Sequence, residues 1–176
     1  MGGEPVDVLL TEDELRVRVG EMGAAIARDY AGKRLKLVGV LKGSFMFMAD
    51  LARAIDLPLE IDFIGTTSYQ GVKSSGVVRI TSDLSRPIEG EHVLLVEDII
   101  DTGLTIKYLL ENMATRGPAS VRVCALLHKP IRARVTVPID YRGFEIPDAF
   151  VVGYGLDWDG RLRNLPFIGV VRSWNG

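Results

Sequence analysis

The chain has 176 residues, 47% of them hydrophobic, with a formal net charge of -2 at pH 7. This length and apolar content suffice for one hydrophobic core and predict a single domain over residues 1–176. The charge gives no reason to expect a nucleic-acid partner, and no apolar run approaches the roughly 18 residues of a membrane-spanning helix.

Cysteine content and the N-terminal residues indicate a cytoplasmic protein. The single cysteine, Cys124, cannot form an internal disulfide, and its apolar surroundings predict a buried, inert thiol. Residues near the N-terminus do not resemble a secretory signal. We therefore expect a cytoplasmic protein without membrane attachment.

The N-terminal third predicts an arm, a helix and a strand–turn–helix unit. Residues 1–10 are expected to form an extended or loosely held arm. A capping box over residues 11–14 precedes apolar side chains at helical spacing, so a helix should reach about Tyr30. A strand over 35–41 and a helix over 45–55 then flank Lys42-Gly43-Ser44, which puts a cation and a glycine at the carboxyl end of a strand.

A polar, glycine-rich loop interrupts the next pair of strands. Residues 59–69 and 77–81 are predicted strands, and the loop over 68–76 between them contains Ser68 and Tyr69. Loops of this length in compact domains are often active-site lids, so we expect a flexible lid at the tip of a β-ribbon.

The central stretch, residues 92–105, carries the most chemical information. The unbroken run Val93-Leu94-Leu95-Val96 predicts a strand buried on both faces of a parallel sheet, and the acids Glu97, Asp98 and Asp101 follow it. Ligands bind beyond the carboxyl ends of such strands. The turn Thr102-Gly103-Leu104-Thr105 opens a helix to about residue 115, whose first amides can hold a phosphate.

The C-terminal part predicts further strands around irregular chain. Residues 120–127 form an apolar strand that ends at His128-Lys129-Pro130, and residues 131–148 are irregular. A short strand over 149–155, a turn over 156–160 and a last apolar stretch to 171 complete the chain. The order of elements predicts an α/β fold with a central, mainly parallel sheet flanked by helices.

Several ordered motifs resemble the type I phosphoribosyltransferases, most closely their hypoxanthine-guanine members. The central motif is Val96-Glu-Asp-Ile-Ile-Asp-Thr-Gly-Leu-Thr105, which resembles the family's phosphoribosyl-pyrophosphate motif. Further segments match in order: Leu41–Ser44, Ser68-Tyr69, Leu126–Pro130, Gly143–Asp148, Phe150–Tyr154 and Leu156-Asp157. The resemblance implies a core over about 35–150, a small hood from about 1–10 and 150–176, and a lid over about 68–76.

The resemblance also implies residue roles. Glu97 and Asp98 would hold the ribose hydroxyls, Asp101 would be the general base, and Thr102, Gly103, Leu104 and Thr105 would bind the 5′-phosphate. Lys42, Gly43 and Arg163 would bind pyrophosphate, and Lys42 and Gly43 would lie in a loop where the family often has a cis peptide. Lys129, Phe150, Val151 and Asp157 would form the purine site, Ser68 and Tyr69 the lid, and Glu97, Asp98 and Asp157 the Mg²⁺ site.

The implied reaction transfers phosphoribose from phosphoribosyl pyrophosphate to hypoxanthine or guanine, in a homodimer or homotetramer. Two alternatives stay open: a xanthine-preferring or mixed 6-oxopurine enzyme, and a non-enzymatic nucleotide sensor that binds RNA or DNA through Arg132, Arg134 and Arg142. Arg161 could replace Arg163 at the pyrophosphate, and Asp157 could instead be a turn former. Adenine is disfavoured, because Lys129 would face an amino group.

Overall fold

The computed structural model describes residues 6–68 and 78–172, which form two sheets and three α-helices. In chain order these are β1 (Val6–Leu10), α1 (Glu12–Asp29), β2 (Leu35–Leu41), α2 (Phe45–Ala54), β3 (Leu59–Ser68), β4 (Val78–Ser82), β5 (His92–Ile100), α3 (Leu104–Ala114), β6 (Ser120–His128), β7 (Tyr141–Glu145), β8 (Val151–Val152) and β9 (Ile168–Val171). A 3₁₀ turn, Pro130–Arg132, follows β6.

The larger sheet has six strands in the order β4-β3-β2-β5-β6-β7. All its pairings are parallel except that of β3 with β4. Val38 of β2 lies opposite Leu95 of β5, which in turn lies opposite Val123 of β6. The predicted α/β fold with a mainly parallel central sheet is therefore confirmed, and the carboxyl ends of β2, β5 and β6 share one edge.

Helices cover both faces of this sheet. Alternate residues of β5 point to opposite faces: Leu94 and Val96 belong to the core under α1 and α2, while Val93 and Leu95 pack with α3. The continuous apolar run in β5 follows from burial on both faces. Cys124 is also fully buried, and burial raises the pKa of its thiol.

The predicted first helix is confirmed, including its N-terminal cap. The Thr11 hydroxyl accepts from the Glu14 amide at 3.3 Å, and the Thr11 amide donates to the Glu14 carboxylate at 2.8 Å. These bonds satisfy amides that the helix itself leaves unpaired. None of the helices within residues 6–68 and 78–172 has the length and apolar character to cross a membrane.

The smaller sheet joins the two ends of the chain. It has the order β1-β9-β8, with antiparallel pairings that place Val6 opposite Val171 and Val151 opposite Val170. The N-terminal arm is thus a strand over its described part. The predicted lid, including Tyr69, lies outside the described residues apart from the backbone of Ser68, which ends β3.

Three strands differ from the sequence expectations. β5 continues through Glu97 and Asp98 to Ile100, so these two acids belong to the strand rather than follow it. β7 lies within the stretch predicted to be irregular, because its five residues include polar side chains and Gly143, which obscure the strand pattern. A Cβ on Gly143 would lie 2.4 Å from the Leu126 carbonyl oxygen, so this edge strand needs glycine there. The strand predicted over 149–155 shrinks to β8.

Candidate active site

A cleft of about 440 Å³ opens at the edge of the sheet where β2, β5 and β6 end. It brings together most of the residues that the sequence singled out: Lys42, Gly43, Glu97, Asp98, Asp101, Thr102, Gly103, Thr105, Lys129, Phe150, Val151, Asp157 and Arg163. Leu104 and Arg161 do not line it. Thr66, Ile106 and Leu156 also line the cleft and were missed. The position of Thr66 near the end of β3 is the one signal in the sequence that could have identified it as a residue of the cleft.

Two adjacent carboxylates form the floor of the cleft. Glu97 is only 7% exposed, and burial, with the negative charge of Asp98 added, raises the pKa of Glu97 well above its usual range. Burial also raises the pKa of Asp98, although the Arg163 guanidinium and a hydrogen bond from the Ile99 amide oppose that rise. Two ionised carboxylates here need hydroxyl donors or a cation to stabilise them.

These carboxylates fit a hard cation only together with oxygens from another molecule. Within the described residues, no group of three or more acidic, histidine or cysteine side chains is arranged to hold a metal ion. Asp157 already accepts from the Gly160 amide at 2.7 Å and lies 2.7 Å from the Arg163 guanidinium. Mg²⁺ is commonly held by one or two carboxylates plus substrate oxygens, and Glu97 with Asp98 meets that requirement.

The turn before α3 is shaped to present its backbone amides. Gly103 caps the helix at a φ of 82°, in the left-handed region that favours glycine, and a Cβ there would lie 2.7 Å from the Val135 carbonyl oxygen. Amides of Arg134 and Val135 hold the Thr102 carbonyl at 3.0 and 3.3 Å. The first turn of α3 carries no acidic side chain, so its positive end suits a bound anion.

The loop after β2 lies directly against the acidic pair. Its peptide bond between Leu41 and Lys42 is cis, as the family resemblance implied. A Cβ on Gly43 would lie 1.6 Å from Oδ2 of Asp98, and one on Gly155 would lie 2.1 Å from the Gly43 carbonyl oxygen. Two glycines therefore allow the loop, β5 and the chain after β8 to meet at the cleft.

Arg163, rather than Arg161, is the arginine of the cleft. Its guanidinium donates to the Gly155 carbonyl oxygen at 2.6 Å and pairs with Asp157. Arg161 is exposed, and its backbone pairs with Trp158 in a tight turn. Asp157 accepts the Gly160 amide within that turn, so it has the turn-forming role weighed from the sequence and also lines the cleft.

The cleft also contains a buried lysine and apolar side chains. Lys129 is 8% exposed, and its backbone amide donates to the Ile100 carbonyl oxygen at 2.9 Å. Phe150 and Val151 line the same cleft, where the chain enters β8. A lysine ammonium in a cleft with apolar side chains suits a flat molecule with a hydrogen-bond acceptor on its edge.

Asp101 has a partner that the sequence did not suggest for it. Arg132 Nε lies 3.2 Å from Oδ1 of Asp101 and 3.9 Å from Oδ1 of Asp148. Arg142, another member of the suggested basic stripe, is paired with Glu145. Two of the three arginines of that stripe are therefore neutralised by carboxylates.

Comparisons with known proteins agree with this arrangement. A family model described as "Phosphoribosyl transferase domain" matches residues 6–159. The chain is 52% identical over 170 residues to a hypoxanthine phosphoribosyltransferase of Haemophilus influenzae, covering 94% of this chain and 95% of that protein. It is 48% identical over 176 residues to a hypoxanthine-guanine phosphoribosyltransferase of Mycobacterium avium, covering 96% and 87%.

Solved structures extend this similarity to the fold. A hypoxanthine phosphoribosyltransferase from Staphylococcus aureus matches with a TM-score of 0.90 at 46% sequence identity, covering 94% of this chain and 91% of that one. A hypoxanthine-guanine phosphoribosyltransferase from Bacillus anthracis matches with a TM-score of 0.90 at 43% identity, covering 94% and 98%. The similarity therefore includes the strands and turns that form the cleft.

Proposed function

The chain belongs to the phosphoribosyl transferase family, and from this membership and the cleft we propose that it transfers phosphoribose to a 6-oxopurine. The donor is phosphoribosyl pyrophosphate, the acceptors are hypoxanthine and guanine, and the products are IMP or GMP with pyrophosphate. One observation carries the proposal: a single cleft combines the positive end of α3, an acid pair in which Glu97 is buried, and a buried lysine.

The acid pair and the turn before α3 would bind the phosphoribosyl group. Glu97, which is buried, and Asp98, which is partly exposed, can accept hydrogen bonds from the two ribose hydroxyls, which would stabilise their negative charges. The amides and hydroxyls of residues 102–105 can hold the 5′-phosphate at the positive end of α3. The sugar would then be fixed at both ends, with its reacting carbon over the cleft.

Bond exchange at carbon 1 of the ribose moves negative charge onto the leaving pyrophosphate. The bond from carbon 1 to the pyrophosphate oxygen breaks, and a bond forms to a purine ring nitrogen. Lys42 and Arg163 lie at the cleft where they can stabilise the departing charge. Mg²⁺, held by Glu97 and Asp98 with substrate oxygens and with Asp157 in reach of the same cleft, would supply further positive charge when bound.

The purine would occupy the end of the cleft that Lys129 closes. The Lys129 ammonium can donate to the exocyclic oxygen of hypoxanthine or guanine, and the Phe150 ring and the Val151 backbone can contact the base. Asp101 would accept the proton that the ring nitrogen loses. Adenine offers an amino group in place of the oxygen, so Lys129 would be left without an acceptor.

Xanthine remains an alternative acceptor, because it carries the same 6-oxo group. Specificity among the three 6-oxopurines depends on the other edge of the base. The nucleic-acid-binding sensor has less support, since Arg132 and Arg142 are both paired with carboxylates and the net charge is -2.

The proposal also assigns roles to the segments around the cleft. The small sheet of β1, β8 and β9 would be the hood over the purine, within one domain whose core spans about 35–150. Ser68 and Tyr69 would belong to a lid that excludes water from the reacting sugar.

The protein would act in the cytoplasm as a homodimer or homotetramer. Light scattering on the purified protein would distinguish these two oligomeric states.

Product identification tests the proposed reaction. The protein would be incubated with phosphoribosyl pyrophosphate, Mg²⁺ and either hypoxanthine or guanine. The nucleotides would then be separated by chromatography and identified by mass spectrometry. We expect IMP from hypoxanthine and GMP from guanine, each dependent on the protein. Binding of phosphoribosyl pyrophosphate without formation of either nucleotide would favour the nucleotide-sensor alternative.

A further inference from the structure

Arg132 links the two segments that carry the purine contacts. It lies in the 3₁₀ turn that begins one residue after Lys129, and its Nε lies within ion-pair distance of both Asp101 and Asp148. Asp148 precedes Phe150 by two residues. One cation therefore joins the end of β5, the chain after β6 and the approach to β8.

The contact with Asp101 engages only one side of the carboxylate. Arg132 Nε donates to Oδ1 of Asp101 at 3.2 Å, and Oδ2 has no hydrogen-bond partner within the part of the chain that the structure describes. Asp101 itself lines the cleft. The free oxygen is thus available to a ligand while the other oxygen is held.

From this geometry we propose that Arg132 is a positioning residue for Asp101. It fixes the rotation of the carboxylate so that the free oxygen faces the purine ring nitrogen, and Oδ1 of Asp148, 3.9 Å from the same Nε, adds a longer-range charge contact. The inference rests on the proposed function, in which Asp101 accepts the purine proton. A planar guanidinium suits this task better than an ammonium, because its N–H groups have fixed directions.

The effect of this ion pair on catalysis can be separated from its effect on folding stability. The Arg132 and Asp101 side chains are 49% and 38% exposed, and ion pairs so open to solvent contribute little to folding stability. The chain offers a matched pair outside the cleft: Arg142 and Glu145 are 47% and 52% exposed. Arg142→Gln therefore controls for the loss of an exposed arginine–carboxylate pair.

The test is a double-mutant cycle on steady-state kinetics with hypoxanthine. We expect Arg132→Gln to lower kcat about tenfold through misplacement of Asp101, with the KM for phosphoribosyl pyrophosphate and the Tm unchanged. In the Asp101→Asn background, Arg132→Gln should cause no further loss, because both changes remove the same function. Arg142→Gln should match the wild type.

Two results would overturn the inference. One is an Arg132→Gln variant with wild-type kcat; the other is an equal loss from Arg132→Gln with and without Asp101. In both cases, wild-type turnover with hypoxanthine would leave the proposed function intact. Absence of wild-type turnover with every purine would instead refute the proposed function, and the inference with it.

Discussion

The carboxylate of Asp98 lies against the α-carbon of Gly43, where a Cβ would come within 1.6 Å of Oδ2. Asp98 belongs to β5 and Gly43 to the loop after β2, so the two strands present their chemistry at one point. The proposed ribose site and the proposed pyrophosphate site are therefore parts of one packed unit. A substitution at either residue should therefore affect both ribose binding and pyrophosphate binding.

Gly43→Ala should weaken donor binding more than it weakens folding. The new methyl group must displace the Asp98 carboxylate, which we expect to raise the KM for phosphoribosyl pyrophosphate by about tenfold or more. Steady-state kinetics and thermal unfolding would measure the two effects. Gly20→Ala is the control, because nothing lies within 4 Å of its Cβ and alanine favours a helix by about 0.5–1 kcal/mol. A Gly43→Ala enzyme with unchanged KM would contradict this prediction.

Asp101→Asn should lower kcat by about a hundredfold, because the amide cannot accept the purine proton. The KM for phosphoribosyl pyrophosphate should remain within about twofold, since the proposed donor contacts lie in other residues. Initial rates at saturating donor and base would give kcat directly. An unchanged kcat would show that Asp101 is not the base.

Lys129→Ala should weaken purine selection rather than donor binding. Loss of a charged hydrogen-bond donor costs about 1.5–3 kcal/mol, which corresponds to a kcat/KM for hypoxanthine that is about 10–150-fold lower. Lys107→Ala on the exposed side of α3 controls for the loss of a lysine charge outside the cleft. Equal losses of purine and donor binding in Lys129→Ala would count against a contact with the base.

Asp62→Asn should destabilise the protein at neutral pH but not in acid. Asp62 is buried, which alone would raise its pKa, yet hydrogen bonds from Phe63, Ser85 and Arg86 outweigh burial and lower the pKa below its usual value. A lowered pKa in the folded state contributes stability above the unfolded pKa, near 4, and that stability is lost as the pH falls.

Urea unfolding at several pH values would measure this effect. We expect Asp62→Asn to lose about 1–3 kcal/mol at pH 7, with the difference from wild type shrinking as the pH approaches 3. Asp56→Asn, an exposed site in the same region, should show little change at either pH. A difference that stays constant across the pH range would contradict the assigned cause.

Local sequence signals predicted the elements that depend on neighbouring residues or on uniform burial. The Thr11 capping box was sufficient because it requires particular residue types at two fixed positions. The apolar run of β5 was sufficient because burial on both faces requires an apolar residue at every position. β7 was missed because an edge strand of five residues, with glycine against the Leu126 backbone, lacks both alternation and a continuous apolar run.

The cleft was largely predictable because parallel strands end at one edge, which brings Lys42, Asp98 and Lys129 together from separate motifs. Pairings within it were not predictable. Arg132 was considered only as part of a basic stripe for nucleic acid, and no local pattern indicates that it meets Asp101 across two strand ends. Such contacts depend on side-chain placement in three dimensions.

Pyrophosphate release with Mg²⁺ and phosphoribosyl pyrophosphate, measured separately with hypoxanthine, guanine, xanthine and adenine, tests whether the protein transfers phosphoribose to 6-oxopurines. We expect turnover with hypoxanthine and guanine and a kcat/KM for adenine at least about a hundredfold lower, since Lys129 would lack an acceptor. The xanthine rate would define the remaining specificity. Turnover with adenine equal to that with hypoxanthine, or no turnover with any base, would contradict this function.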